Sequence, residues 1–454
     1  MDQPPADAPQ PPPVTPSLSA GRELLRNRDF VLFVLARYLS TVGLQVESVT
    51  IGWQVYAVAR LSRSVEEGAL LVGMVGLIQF LPVFALTLIA GETADRFTRK
   101  YVVLAAVAVE IVVVAVLSVL ALHPSPSLTA VFVAAGLFGA ARAFLSPANS
   151  AIGPMLVERR LLPRAIAWTS LSWQAGSITG PFVGGLLCAV GFAQLSLLPF
   201  GETLIAALVD ADVPSAGVGP ALGYAGAGVL YLAAAISLTA IRHDTTPERQ
   251  TGSRLALMRE GLEYVWTNKI VLGAISLDLF AVLLGGATAL LPVFARDVLN
   301  VGPEGFGVLR AGPAIGAAVM AIILARWPIH SRAGAWMFGG VAVFGAATIV
   351  FGLSQTLWLS VLALAILGAA DMISVYVRQT LVQIVTPDRM RGRVSAASGL
   401  FVGASNELGE FESGVVARFL GPVGAALFGG FGALVVTGVW AKLFPQLRKA
   451  DRLA

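Results

Sequence analysis

Long apolar runs alternate with short charged or Pro- and Gly-rich breaks along almost the whole chain. A helix needs about 20 mostly apolar residues to cross the hydrocarbon core of a bilayer. The pattern therefore predicts an all-α membrane protein with about twelve spanning helices. The predicted spans are 30–58, 69–90, 101–122, 128–148, 165–190, 221–241, 270–295, 306–325, 334–353, 357–380, 394–417 and 422–443.

Basic residues mark one side of this predicted membrane protein. Most of the 31 Lys and Arg residues fall in the terminal segments and in every second connection between spans. The other side holds Arg60, Arg63, Arg296, Arg310 and Arg418, of which Arg310 falls near the start of the predicted span 306–325. Because loops rich in Lys and Arg stay in the cytoplasm, we expect both termini to be cytoplasmic, which requires an even number of spans.

Composition excludes a soluble fold and several kinds of chemistry. Hydrophobic residues make up 56% of the chain and charged residues 13%, which leaves too little polar surface for a water-soluble fold. The single cysteine, Cys188, allows neither a disulfide within the chain nor a thiolate metal cluster. Basic residues form no stripe, so nucleic acid is not an expected partner. No nucleophile, His-carboxylate or phosphate-binding motif occurs, so we predict no enzyme, cofactor or metal site.

The chain divides into a tail, two bundles and a linker. Residues 1–20 are rich in Pro and lack an apolar signal segment, so we expect a disordered tail. The charged linker 242–269 separates an N-terminal bundle, 21–241, from a C-terminal bundle, 270–454, with six predicted spans in each.

The two bundles carry traces of an internal repeat. Positions that match at a constant offset of 229 residues are Arg164 and Arg393, Gly180 and Gly409, and Gly185 and Gly414. Two related bundles side by side enclose a central cavity, and carriers of this design bind their substrate there. The sequence therefore predicts a pseudo-symmetric pair of bundles.

The connection between the second and third spans carries a specific motif. The segment Gly91-Glu-Thr-Ala-Asp95-Arg96-Phe-Thr-Arg99-Lys100 resembles the signature G-x-x-x-D-R-x-G-R-R/K of the major facilitator superfamily. Thr98 stands where the family has Gly, but every charged position is kept. The resemblance implies the major facilitator fold, in which Gly91, Asp95, Arg96, Arg99 and Lys100 act as a conformational switch.

A second motif lies in the fifth span. The segment from Gly176 through Gly180, Pro181 and Gly184 to Gly185 resembles the G-x-x-x-G-P-x-x-G-G element of antiporters in this superfamily. Glycines four residues apart also allow close helix packing without any role in antiport, and Pro181 removes a backbone donor and bends the helix. Either a hinge or simple packing is compatible with this segment.

Likeness over nearly the whole chain points to one branch of the superfamily, which holds enterobactin exporters and multidrug efflux carriers. It implies a monomeric, proton-driven exporter of the bacterial inner membrane that carries an amphipathic small molecule, siderophore-like or drug-like, by alternating access. An uptake carrier or a facilitator of the same fold, including one for lipid-like cargo, remains the alternative. A membrane protein without transport activity is the more remote one.

Charged residues inside the predicted spans are candidates for binding protons or cargo, because a charge costs about 2.5–3.5 kcal/mol near the middle of a spanning helix. The candidates are Arg37, Glu47, Arg142, Asp278, Asp371 and Glu407. Glu407 shares a helix face with Glu410, three residues on, which we expect nearer to solvent. Arg142 matches the Arg of an R-x-x-Q-G element in antiporters, although the Gln and Gly are lost here. Since both signs of charge occur, the charge of the cargo stays open.

Overall fold

The computed structural model describes residues 23–197, 199–211, 213–246, 254–387 and 390–451, so the tail 1–20 lies outside the described residues. Its long helices are α1 (Arg28–Ala59), α2 (Val65–Arg96), α3 (Arg99–Ala121), α4 (Leu128–Met155), α5 (Leu162–Cys188), α6 (Ser215–Thr239), α7 (Lys269–Leu284), α8 (Pro303–Arg326), α9 (Ala333–Leu353), α10 (Leu357–Val385) and α11 (Arg391–Leu443). Shorter helices are Phe192–Leu195, Gly201–Asp210, Arg254–Thr267 in the linker, and Pro445–Arg448.

Ten of the described helices are long and apolar enough to cross a membrane, counting α7 with the short turns that extend it to Val298. The all-α membrane fold is therefore confirmed. The ten include α11 once and omit α5, whose 27 residues carry several Trp, Ser, Thr and Gln side chains. The expected count of twelve stays a prediction.

The 53-residue helix α11 is broken at Gly421, which has a φ of 73° and is followed by Pro422. A straight helix of this length would extend about 80 Å, more than twice the hydrocarbon core of a bilayer. The chain instead turns back at Gly421. This is seen from Gly409 and Gly429, which lie on either side of the break and both pack against the end of α7 near Leu284. This break falls between the predicted spans 394–417 and 422–443.

The α5 and α11 helices occupy matching places in the two bundles. A Cβ on Gly180 of α5 would lie 3.0 Å from the Val42 carbonyl oxygen of α1. At the equivalent position of the repeat, a Cβ on Gly409 of α11 would lie 2.8 Å from the Val282 carbonyl oxygen of α7. Equivalent glycines therefore make equivalent contacts, as a two-fold repeat requires. The boundaries at 241 and 270 stay a prediction.

The bundles meet through a second pair of equivalent contacts. A Cβ on Gly185 of α5 would lie 2.9 Å from the Gly307 Cα atom of α8. A Cβ on Gly73 of α2 would lie 2.8 Å from the Gly414 Cα atom of α11. Since no side chain larger than hydrogen fits at these crossings, the helix backbones touch. We call the end of the molecule that holds these crossings the distal end.

The opposite end, which we call the basic end, carries Arg99 and Arg393, and there the bundles diverge. One face of α11 shows this, since its positions 414, 410, 407, 403 and 399 follow each other at helical spacing. Gly414, Glu410 and Glu407 contact Gly73 or Gly76 of α2. A Cβ added at positions 403 or 399 would meet no atom of the described residues within 4 Å. The space between the bundles is therefore closed at the distal end and widens toward the basic end.

Candidate substrate and proton site

An ion pair joins the two bundles at the point where they begin to diverge. Arg142 of α4 donates from one terminal nitrogen to Glu407 of α11 and to the Gln79 side-chain oxygen of α2, at 3.2 Å each. The Glu407 side chain is 17% exposed and that of Arg142 34% exposed. The strength of a pair that joins two helix bundles depends on their relative position. The structure thus brings together two of the predicted candidates.

Further carboxylates surround Arg142. Besides Glu407, the charges of Glu47, Glu410 and Glu110 act on its guanidinium. These acids come from α1, α3 and α11, so three helices converge on one cation. In the low dielectric of a membrane protein such charges interact strongly. We call Arg142, Glu407, Glu47, Glu410 and Glu110 the Arg142 cluster.

Glu47 lies in the core of the N-terminal bundle. Its side chain is buried, and it accepts a hydrogen bond of 2.6 Å from the Tyr231 hydroxyl of α6. This single hydrogen-bond donor leaves most of the carboxylate unsatisfied, because an ionised carboxylate has about four acceptor sites. The structure thus places this predicted candidate beside Arg142 without a direct ion pair among the described residues.

Glu110 of α3 was not among the residues singled out from the sequence. It is buried, and its Oε2 atom forms no hydrogen bond with any described residue. The signal that finds it is its position as the one acid in the apolar run Val102–Leu122, the same signal that identified Glu47. Glu110 lines a cavity of about 290 Å³.

The same cavity contains Arg37 of α1. Its guanidinium carbon lies 6.0 Å from the ring centre of Trp173 on α5, a cation–π contact. Arg37 forms no salt bridge with a described residue, and its Nε atom is buried without a hydrogen-bond partner there. Ser40, Ser146 and Asn149 add polar groups to the wall. The cavity therefore offers polar groups and an aromatic face.

Arg310 and Glu410 differ from the sequence-based expectation. Arg310 was counted on the outside, but it lies inside α8 and its side chain is only 22% exposed. Its guanidinium lies 3.9 Å from Glu410 and donates to the Ser48 hydroxyl at 3.0 Å. Glu410, expected near solvent, is only 26% exposed, because α2 packs over it at the distal crossing.

A second charged cluster lies within the C-terminal bundle. Asp278 of α7 and Arg378 of α10 form a buried ion pair of 3.4 Å, with side chains that are 5% and 4% exposed. Ser374 donates to Asp278 at 3.4 Å, and Arg378 donates to the Ser398 hydroxyl at 3.2 Å. Asp371 lines a small cavity beside Asp278. The predicted candidates therefore form two groups rather than one.

The switch motif holds the basic end of the N-terminal bundle together. Arg99 donates to the Ala151 carbonyl oxygen at 3.3 Å, and Lys100 donates to that of Ile241 at 2.8 Å. Arg96 forms an ion pair with Glu92 one turn earlier in α2. The motif also includes Gly91, which is buried, and Asp95, which is partly buried in the last turn of α2.

The start of α11 is held by the linker helix. Arg393 forms an ion pair with Glu260, and a Cβ on Gly261 would lie 2.8 Å from the Arg393 carbonyl oxygen. The linker thus binds the basic end of the C-terminal bundle.

The glycine motif of α5 serves two surfaces. Gly176, Gly180 and Gly184 lie against α1, in the same bundle. Gly185 and the Pro181 carbonyl oxygen lie against Gly307 of α8, in the other bundle. Close packing is thus observed for every glycine of the motif, while a hinge at Pro181 stays a prediction.

Comparison with known proteins identifies the fold and its relatives. The family model described as Major Facilitator Superfamily matches residues 31–409. The chain is 27% identical over 423 residues to proteins named Enterobactin exporter EntS from Shigella boydii and Escherichia coli, with 91% of this chain and 91% of the relatives covered.

Solved structures agree with this on the fold. A D-xylose-proton symporter superposes with a TM-score of 0.69 at 11% identity, covering 92% of this chain and 99% of its own. A bacterial homologue of the lysosomal transporter Spinster, in an inward-facing and unoccupied conformation, gives a TM-score of 0.67 at 16% identity, covering 93% of this chain and 96% of its own. At these identities the likeness concerns the fold alone.

Proposed function

Because this chain belongs to the Major Facilitator Superfamily and is a membrane transporter of that type, we propose that it exports an amphipathic small molecule in exchange for protons. The observation that carries this proposal is the Arg142–Glu407 pair. This pair joins the two bundles next to the distal crossings, at the point where the space between the bundles begins to widen. It therefore lies beside both the cavity and the contact between the bundles.

Proton exchange follows from how the Arg142 cluster shares one cation. Arg142 can satisfy only some of the surrounding carboxylates, so the charge of each acid changes how strongly Arg142 holds Glu407. Proton binding or release at an acid of the cluster therefore changes the strength of the contact between bundles. A proton shifts the balance between two conformations only if it binds one of them more tightly than the other. The contact between the bundles, which differs between the conformations, provides such a difference in proton affinity.

The direction of opening follows from the proposed orientation. We place the basic end, with both termini, in the cytoplasm of a bacterium, because Lys and Arg are enriched on that side of membrane proteins. The described conformation is then inward-open, ready to receive cargo from the cytoplasm. Export requires the distal crossings to separate and the basic ends of α2 and α11 to approach, with the switch motif at Gly91–Lys100 and the α5 glycines on the moving surfaces.

The cargo is proposed to be amphipathic. The cavity wall combines the Trp173 ring with the guanidinium of Arg37 and several hydroxyls. Aromatic faces beside a few polar groups suit a cargo with both an apolar and a polar part. The names of the relatives add enterobactin to the compounds worth testing.

Transport by purified protein in liposomes tests the proposal. We expect ethidium or enterobactin to move against its gradient only when a pH gradient is imposed. We expect Glu407→Gln to lower this driven transport about 5- to 150-fold, the range that a coupling free energy of about 1–3 kcal/mol produces. The reason is that the neutral side chain no longer forms an ion pair with Arg142, so the contact between the bundles stops responding to the proton.

Glu158→Gln is the matched control, because Glu158 is an exposed acid whose ion pair with Arg160 lies within the N-terminal bundle. It should retain transport. Cargo movement that ignores the pH gradient in the parent protein would contradict proton exchange and favour a facilitator. Accumulation with the proton gradient, in the same direction as the protons, would favour an uptake carrier.

A further inference from the structure

We propose that the exchanged proton is held by Glu110 together with Glu47, inside the N-terminal bundle, and that Glu110 is the carboxyl that trades it with the cytoplasmic cavity. This rests on the proposed proton exchange and adds a site to it. Glu407, by contrast, is assigned the role of the contact that responds to the proton.

Burial without a partner is the first argument. Glu110 is 1% exposed, and its Oε2 atom forms no hydrogen bond with any described residue. An ionised carboxylate left in this state is strongly unfavourable, whereas a carboxylic acid needs fewer partners. The geometry is therefore suited to a carboxyl group that carries a proton in this conformation.

Access is the second argument. Glu110 lines the cavity of about 290 Å³ whose wall also contains Ser146, Asn149 and Ser150 from the basic half of α4. A polar cavity of this size has room for several water molecules. A proton that leaves Glu110 can therefore pass through water in this cavity toward the basic end. Glu47 instead contacts the Tyr231 hydroxyl, farther into the bundle.

The charged groups around Glu110 form the third argument. Those that face it are Glu47 of α1, Arg142 of α4 and Tyr231 of α6, and Arg37 shares its cavity. Gln79 of α2 and the acids Glu407 and Glu410 of α11 interact with Arg142, and they act on Glu110 only through that residue. Two buried acids beside a single shared cation are best accommodated with one proton between them, and such a pair titrates as a unit.

Release of this proton has a defined consequence for the contact between bundles. The proton passes from the Glu110 carboxyl to water in the cavity, and a carboxylate remains. Arg142 is the cation that faces it, so Arg142 is drawn toward Glu110 and holds Glu407 less firmly. Protonated Glu110 therefore supports the inward-open state, and proton loss to the cytoplasm prepares the change to outward opening, as exchange of protons for cargo requires.

Glu110→Gln in the full-length protein tests this site. With ethidium as the probe, we expect accumulation driven by the pH gradient to fall about 5- to 150-fold. Exchange of labelled for unlabelled ethidium across the membrane, which involves no net proton movement, should stay near the parent level. A dye inside the vesicles should report that ethidium transport no longer moves protons. Glu412→Gln, which alters a half-buried acid outside the Arg142 cluster, should behave like the parent.

The outcomes separate the two proposals. If the parent protein itself ignores the pH gradient, proton exchange is wrong. If the parent is coupled and Glu110→Gln remains coupled, the Glu110 site is wrong, whatever Glu407→Gln does. Infrared difference spectra give a readout apart from transport, because the carbonyl band of a protonated carboxyl should be present in the parent and lost in Glu110→Gln.

A second variant keeps the test decisive if Glu110→Gln does not assemble. Glu110→Asp retains the acid but draws it back by one methylene group from Arg142 and the cavity. We expect coupled transport to persist with its pH optimum displaced, because the carboxyl then has different neighbours. An unchanged optimum would overturn the proposal.

Discussion

Replacing Arg378 with Met is expected to lower the free energy of unfolding by about 3–5 kcal/mol, because it leaves a buried charge without its partner. Asp278 and Arg378 are both almost fully buried, and the described residues offer Asp278 only the Ser374 hydroxyl besides Arg378. The loss should appear as an unfolding midpoint at a lower concentration of denaturing detergent when the purified protein is titrated with it. It is among the largest effects expected of a single substitution in this chain.

Two further variants check the cause. Adding Asp278→Asn to Arg378→Met should restore much of the lost stability, since the unpaired charge is then gone. Arg418→Met removes a comparable side chain from an exposed pair with Glu67, and it should cost only about 0–1 kcal/mol. Equal losses for Arg378→Met and Arg418→Met would show that burial of the pair is not what stabilises it.

Gly73→Ile is expected to force the distal end open and to abolish most transport. A Cβ at this position would lie 2.8 Å from the Gly414 Cα atom and 2.9 Å from the Glu410 carbonyl oxygen, so the backbone itself blocks any side chain. Overpacking of this kind costs about 1–3 kcal/mol, which shifts a balance between two conformations roughly 5- to 150-fold. The shift disfavours the state in which α2 and α11 touch.

Distances between spin labels at the distal end measure this shift. Labels on Ser62→Cys and Gln355→Cys, in exposed turns of the two bundles, should move apart in Gly73→Ile and stay in place in the parent. Gly438→Ile is the matched control, because in the part of the chain that the structure describes no atom lies within 4 Å of a Cβ at that position. An unchanged distance in Gly73→Ile would mean that the helices absorb the side chain without separating.

Much of the fold follows from hydropathy, because a bilayer demands apolar helices of a set minimum length. The break in α11 was predicted between 417 and 422, where Gly421 and Pro422 stand, and the matched glycines of the repeat make matched contacts. The conformation could not be predicted in this way. One face of α11 contacts α2 at the distal end and borders the open space toward the basic end. The residue types at 414, 407 and 399 therefore do not reveal which stretch of this face touches α2.

The site was predicted in part for a related reason. A charge in an apolar run identifies a buried residue, and this finds Glu47, Arg142, Asp278, Asp371 and Glu407 one at a time. Partners are set by helices distant in sequence, so the pairing of Arg142 with Glu407 across 265 positions is visible only in three dimensions.

Residues near helix ends are the harder case. Arg310 lies seven residues from the start of α8 and was counted on the outside of the membrane, although the helix buries it beside Ser48. Hydropathy reports how apolar a segment is on average, and it does not report which way one side chain near the end of a helix points.

The break at Gly421 also bears on how the protein is made. Its backbone angles, a φ of 73° with a ψ of 169°, belong to a region that only glycine occupies readily. Because the helix resumes at once with Pro422, the two arms of α11 are joined by a tight turn and form one helical hairpin. We therefore expect the two arms to enter the membrane together, and we expect a side chain at position 421 to lower the amount of inserted protein in membrane fractions as well as transport.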